Sequence, residues 1–127
     1  TGIIKSATAN NQIVVNVYQG TLTVNALLNN GSAVTSKFGD GTLVVGGNNT
    51  SSGAFYVQSG TVRLTHDNAA GTAAGGITVQ SGAALELANN ISVGAEALSI
   101  VGTGISSNGA LRNLTGTANT YGGTITV

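Results

Sequence analysis

The sequence predicts an all-β protein folded as a right-handed parallel β-helix (β-solenoid) of about five or six coils. Three observations predict this fold: short runs in which apolar and polar residues alternate, clusters of glycine and asparagine between the runs, and a segment that repeats after 22 residues. In such a helix each coil holds two or three short strands, and each strand pairs in parallel with the equivalent strand of the next coil.

The alternating runs place Val, Ile, Leu or Ala at every second position, with Thr, Ser or Asn between them. A period of two residues is typical of strands that bury one face. The aliphatic residues are therefore expected to point inward and the polar residues outward. The runs cover residues 13–17, 21–24, 42–45, 55–57, 61–64, 77–79, 84–87, 91–93, 98–101, 111–114 and 124–127.

Turn-forming clusters separate the runs, as in 46–49 (Gly-Gly-Asn-Asn) and at Gly75-Gly76. Glycine adopts positive φ without steric cost, and asparagine tolerates the left-handed region. The chain has 20 glycines and no proline, which suits tight corners and uninterrupted ladders. The alanine-rich stretch 68–74 is broken by Gly71 and has no apolar stripe, so we predict a loop there.

The repeat is clearest where Gln58-Ser59-Gly60 reappears as Gln80-Ser81-Gly82, with an apolar pair before each copy. Gln19-Gly20 looks like the same turn with one residue fewer. A period of about 20 to 24 residues is the signature of a solenoid. The leucine-rich pattern is missing and the composition excludes helical repeats, which leaves a β-helix.

Composition excludes several classes of function. Only 6% of the 127 residues are charged and the formal net charge is zero, so the chain lacks the basic surface that binds nucleic acids or anionic membranes. There is no cysteine, which excludes disulfides and thiolate chemistry. The hydrophobic fraction of 41% and the positive mean hydropathy of +0.26 argue against disorder.

At this length one domain is expected, and residues 1–127 are predicted to form a single solenoid segment. No apolar run approaches the roughly 18 residues of a membrane-spanning helix. Both ends fall in strand-like sequence. We therefore expect a segment excised or processed from a longer repetitive protein, with open strand edges at Thr1 and Val127.

Residues able to carry chemistry are few, and we predict no catalytic, cofactor-binding or metal-binding residues and no enzyme activity. His66 and Asp67 are interpreted as a polar corner, because neighbours on a strand point in opposite directions. Glu86 alternates with Leu85 and Leu87, which predicts a carboxylate that faces water. The four acidic residues are too far apart in sequence for a calcium loop.

Structural roles are predicted instead for a set of turn and ladder residues. Stacked asparagine side chains form amide ladders along a β-helix, and glycines occupy its corners. The candidates are Asn48, Asn49, Gly53, Gly60, Gly82, Asn89 and Asn90.

Residues 41–64 read GTLVVGGNNTSSGAFYVQSGTVRL, with Gly41-Thr42-Leu43 first, Asn49-Thr50 and Gly53 in the middle, and Gly60-Thr61-Val62 near the end. This order resembles the autotransporter-associated β-strand repeat, also called the passenger-associated transport repeat. That pattern is a Gly-Thr-Leu strand, a turn, an Asn-Thr-x-x-Gly corner, a short strand and Gly-Thr-Leu again.

The resemblance covers roughly residues 40–127, and 119–127 looks like the start of a further motif. Ser51 stands where the repeat usually has an aromatic residue. Residues 1–39 match in style only. The family supplies no catalytic residues to this chain.

The resemblance implies a β-helical passenger segment, secreted through a bacterial outer membrane and displayed on the cell surface or released from it. We therefore expect a structural or adhesive stalk or fibre segment. Its expected partners are further solenoid repeats or copies of itself, end to end, and glycans of host or neighbouring cells, without nucleic acid and without membrane insertion by this segment.

Two alternatives stay open. One is a subunit of an extracellular filament that assembles head to tail through open β-helix ends, because such contacts do not close. The other is a carbohydrate-binding or carbohydrate-degrading β-helix module. The five aromatic residues could form a sugar-stacking face, although core filling or corner packing is expected for most of them.

Overall fold

Residues 2–5 and 12–127 are described by a computed structural model of the chain. Thr1, one of the two expected strand edges, lies outside the described residues. The described part contains no helix that could cross a membrane. Its elements are β1 (Ile3–Ile4), β2 (Ile13–Asn16), β3 (Thr21–Val24), β4 (Leu27–Leu28), β5 (Thr35–Phe38), β6 (Thr42–Val45), β7 (Phe55–Val57), β8 (Gly60–Leu64), β9 (Ile77–Val79), β10 (Ala83–Leu87), β11 (Ser92–Val93), β12 (Leu98–Ile100), a short 3₁₀ turn (Ile105–Ser107), β13 (Leu111–Asn113), β14 (Thr120–Tyr121) and β15 (Ile125–Thr126).

Each coil visits three sides of the solenoid in a fixed order. The first sheet has six strands in the order β15-β12-β9-β7-β5-β2, and the second sheet has five in the order β13-β10-β8-β6-β3. The third side comprises residues 2–5, 25–31, 46–52, 65–73, 89–96 and 115–122, and holds the short sheets β1-β4 and β11-β14. All these strands pair in parallel. The predicted parallel β-solenoid is confirmed, with about five turns.

The core consists of inward columns in which one residue stacks on its equivalent in the next coil. In the second sheet one column runs Leu22, Leu43, Val62, Leu85 and Leu111. Its three central members are buried almost completely. Burial of such side chains contributes about 1.5–3 kcal/mol each, so the columns hold the coils together.

Strand β5 is not predicted by the alternation of the sequence, and its inward positions explain why. Thr35 and Lys37 share a face with Phe55 and Val57 of the next coil, so polar residues stand where aliphatic ones are expected. Lys37 is fully buried. Its Nζ donates hydrogen bonds to the carbonyls of Gly39 at 2.5 Å, Ser59 at 2.8 Å and Gly41.

The prediction that Glu86 faces water was wrong. Glu86 is on the outer face of the second sheet as its alternation requires, but it is only 6% exposed. The register places Arg63 and Arg112 on either side of it, one coil before and one coil after. Their guanidinium groups lie 2.9 Å from its carboxylate and cover it.

Candidate functional site

Asparagine side chains link neighbouring coils on the third side, next to its two short strand ladders. Asn49 Oδ1 accepts a hydrogen bond from Leu28 N at 2.7 Å in the preceding coil, and Asn49 Nδ2 donates to Ala69 O at 2.5 Å in the following one. Asn119 Oδ1 accepts from Ile91 N at 2.8 Å in the same manner. Both asparagines begin an Asn-Thr pair, so this corner satisfies backbone groups that would otherwise lack a partner.

The other asparagine candidates lie at related corners. Asn68 Nδ2 donates to Asn48 Oδ1 at 2.8 Å, which pairs two side-chain amides of neighbouring coils. Asn89 and Asn90 adopt φ values of 72° and 58°. Asn90 Oδ1 accepts from Thr117 N at 3.0 Å in the next coil.

The three glycine candidates differ in what surrounds them. Gly60 and Gly82 turn the chain from the first sheet into the second with φ values of 65° and 78°. A Cβ at Gly60 would meet Lys37 Nζ and two carbonyl oxygens, whereas one at Gly82 would meet nothing within 4 Å. At Gly53 a Cβ would collide with the carbonyl of Ala33 in the preceding coil.

His66 and Asp67 make separate local contacts with the backbone. His66 Nδ1 accepts from Asn68 N at 3.1 Å, and Asp67 Oδ1 accepts from Ser92 N at 2.7 Å. These bonds fix a corner and link it to the next coil. They do not orient the histidine toward the carboxylate as a catalytic pair requires.

A cleft opens on the third side and spans three consecutive coils. Its volume is about 340 Å³. That size falls at the lower end of the range of small-molecule sites, roughly 300–1,000 Å³. It is lined by amide, hydroxyl and carboxylate side chains and by small residues: Asn48, Asn49, Thr50, Asp67, Asn68, Gly71, Thr72, Ala73, Val93, Gly94, Ala95 and Glu96. We call it the third-side cleft.

Two carboxylates give the third-side cleft a negative character. Asp67 is exposed at its rim, whereas Glu96 is only 4% exposed. Burial raises the pKa of Glu96, and a backbone hydrogen bond from Gly76 opposes the shift. No lysine or arginine lines the cleft. Asp67 and Asn48 stood out in the sequence, but Glu96 did not, because its polar neighbours in the cleft come from two other coils.

The two ends of the solenoid form a second candidate surface, because inward columns reach solvent there. Leu22 in the first coil and Ile125 after the last one are each 43% exposed, although their equivalents in the middle coils are buried. Strands β3 and β13 are the edges of the second sheet, and β2 and β15 are the edges of the first. Open edges and uncovered apolar side chains are features that a further coil would cover.

Within the described residues, no three His, Cys, Asp or Glu side chains come close enough together to hold a metal ion. In the comparisons with known proteins, no family model, no curated protein and no solved structure matches this chain.

Proposed function

We propose that this chain is a structural and adhesive segment of a secreted bacterial surface protein, comparable to the stalk or fibre of an autotransporter passenger. The solenoid fold supports this proposal, because coils that stack in one direction build extended objects. The Asn-Thr corners support it as well: Asn49 and Asn119 lie where the resemblance puts the motif, and both bridge coils.

The observation that carries the proposal is the exposure of the inward columns at both ends. Stacking another coil on β13 and β15 would cover Leu111 and Ile125, and stacking one on β2 and β3 would cover Leu22. Burial of each of these aliphatic side chains would stabilise the stacked state by up to about 1.5–3 kcal/mol. A segment built in this way is stabilised by further solenoid on either side.

A filament of separate subunits is the second candidate, and one geometric match favours it. In register, the first coil of one copy would place its Ile13 on Ile125 and its Leu22 on Leu111 of another. Aliphatic side chains would meet in both sheets. The contact is heterologous, so it repeats without closing.

Light scattering after size-exclusion chromatography, followed by negative-stain microscopy, separates the two candidates. A stable monomer of 12.4 kDa supports one link of a longer covalent solenoid, whereas filaments of uniform width support the assembled fibre. Leu22→Lys should abolish any filament, whereas Val14→Lys should not, because Val14 lies on the outward face of the same coil and is already 58% exposed.

The adhesive role is tested by binding of the purified chain to bacterial cells, to glycan-coated beads and to itself. If the chain shows none of these three kinds of binding, the adhesive role is contradicted.

A further inference from the structure

We propose that the third-side cleft binds a single neutral sugar residue through neighbouring hydroxyl groups. Such a site would serve the adhesive role proposed above, and it rests on that role for its biological setting alone. Sugar binding by this cleft and stacking at the ends involve different residues, so either can fail without the other.

The first support is the hydrogen-bonding pattern at the rim. The bond from Asn68 Nδ2 to Asn48 Oδ1 leaves Asn48 Nδ2 as a donor and Asn68 Oδ1 as an acceptor, and both residues line the cleft. Of two adjacent sugar hydroxyls, one can accept a hydrogen bond from Asn48 Nδ2 and the other can donate to Asn68 Oδ1. Thr50 and Thr72, both exposed on the lining, add hydroxyls that donate or accept as required.

The second support is a carboxylate that is already held in place. Asp67 Oδ1 is occupied by Ser92 N at 2.7 Å, which leaves Oδ2 to accept from a ligand. Hydrogen bonds to an ionised acceptor are about twice as strong as neutral ones. Because the bond to Ser92 crosses between two coils, the side chain is fixed before a ligand arrives, and little conformational entropy is lost on binding.

The third support is the apolar part of the cleft lining. Val93, which is buried, and the small residues Gly71, Ala73, Gly94 and Ala95 belong to this lining. They supply apolar surface beside the amide, hydroxyl and carboxylate groups of the same cleft. A sugar ring has this division too, with C–H groups on its faces and hydroxyls at its edge.

The charges of the lining select against other ligands. Two carboxylates without a lysine or arginine beside them disfavour phosphates, sulfates and acidic sugars. The described residues supply only these two acids here, and no group of three metal-ligating side chains. No aromatic ring lines the cleft, so a nucleobase would find no stacking partner.

The test is an NMR titration of the isotope-labelled chain with the methyl glycosides of glucose, galactose, mannose and N-acetylglucosamine. We expect at least one of them to shift the amide signals of residues 48–50, 67–73 and 93–96, with a dissociation constant on the order of 1 mM, as is typical of so small a ligand. No shift at these residues up to about 50 mM of any glycoside would overturn the proposal.

Asp67→Asn is the decisive variant, because its amide oxygen can still accept from Ser92 N while the charge is lost. We expect binding to weaken by about tenfold. Asp40→Asn is the matched control, because Asp40 is an exposed acid outside the cleft, and it should bind as the unaltered chain does. Equal affinity of Asp67→Asn and the unaltered chain contradicts the proposal.

Two further arms distinguish a sugar site in this cleft from a cation site and from a site that only an assembly forms. Calcium chloride added alone should leave the cleft signals unchanged, and shifts with calcium alone would assign a cation site instead. Leu22→Lys should bind sugar normally, because Leu22 lies at the end of the solenoid. If that variant stays folded but loses sugar binding, the ligand is recognised by an assembly and not by the cleft.

Discussion

Arg63 donates to Glu86 through both Nε and Nη2, each at 2.9 Å, across the boundary between two coils. Arg112 Nη2 reaches the other carboxylate oxygen from the opposite side, also at 2.9 Å. One acid thus joins three successive coils on the outer face of the second sheet. Arg63, Glu86 and Arg112 form a charged column, which concentrates three of the chain's few charges at one place.

Glu86→Gln should lower the free energy of unfolding by about 1–3 kcal/mol, because it leaves two partly buried guanidinium groups without a counter-charge. Urea denaturation measures the change. Lys5→Gln, which removes an exposed charge outside this column, is the control and should alter stability by less than about 0.5 kcal/mol. Equal effects of the two substitutions would mean that the column contributes nothing beyond a surface charge.

Asn49→Ala should destabilise the chain by at least about 2 kcal/mol, because it removes the partners of Leu28 N and Ala69 O together. The neighbouring Asn48→Ala removes an exposed amide pair and should cost less than about 0.5 kcal/mol. Thermal and urea unfolding of the two variants give the comparison. The bridging role of the Asn-Thr corner is contradicted if the buried and the exposed asparagine cost the same.

Gly60→Ala should be more destabilising than Gly82→Ala. Both glycines have positive φ, so each substitution carries a backbone cost of about 1–2 kcal/mol. At Gly60 the added methyl group also meets Lys37 Nζ and two carbonyl oxygens, whereas at Gly82 the space is open. We expect the difference in unfolding free energy to exceed about 1 kcal/mol. Equal unfolding free energies of the two variants would show that the corner around Lys37 accommodates the added methyl group without loss of stability.

Stability should fall as pH rises through the interval that begins at the ordinary glutamate pKa, 4.5, and ends at the raised pKa of Glu96. Burial raises this pKa, so in that interval the folded chain binds more protons than the unfolded chain, and loss of the proton disfavours the fold. Urea unfolding as a function of pH, compared between the unaltered chain and Glu96→Gln, measures the contribution. The plots of unfolding free energy against pH for the two chains should diverge across this interval. Parallel plots would contradict a contribution from Glu96.

Much of the fold could be predicted from the sequence because strands with aliphatic inward residues are recognisable by their alternation. Residues 42–45, 55–57 and 77–79 were predicted as strands and match β6, β7 and β9. Strand β5 was missed because Lys37 occupies an inward position. Its ammonium is tolerated there only because three carbonyls of the adjacent corners surround it, and no local pattern reveals them.

The candidate sites were harder to predict, because they depend on which coils lie next to each other. Glu86 was placed on the correct face, but its burial follows from Arg63 and Arg112, which are 23 and 26 residues away in sequence. The third-side cleft has the same origin. Asn48, Asp67 and Glu96 come from three coils, and only the register brings them to one opening.

We propose that further solenoid stacks on both ends of this chain. The proposal is tested by the melting temperature of two copies joined in one chain, measured beside the single copy. Joining raises the local concentration of the two ends, so the stacked contact should form and raise the melting temperature with a single cooperative transition. The matched control carries Leu22→Lys in the second copy and Ile125→Lys in the first, and should melt like a single copy. An unaltered tandem chain that melts at the temperature of the single copy would contradict the claim.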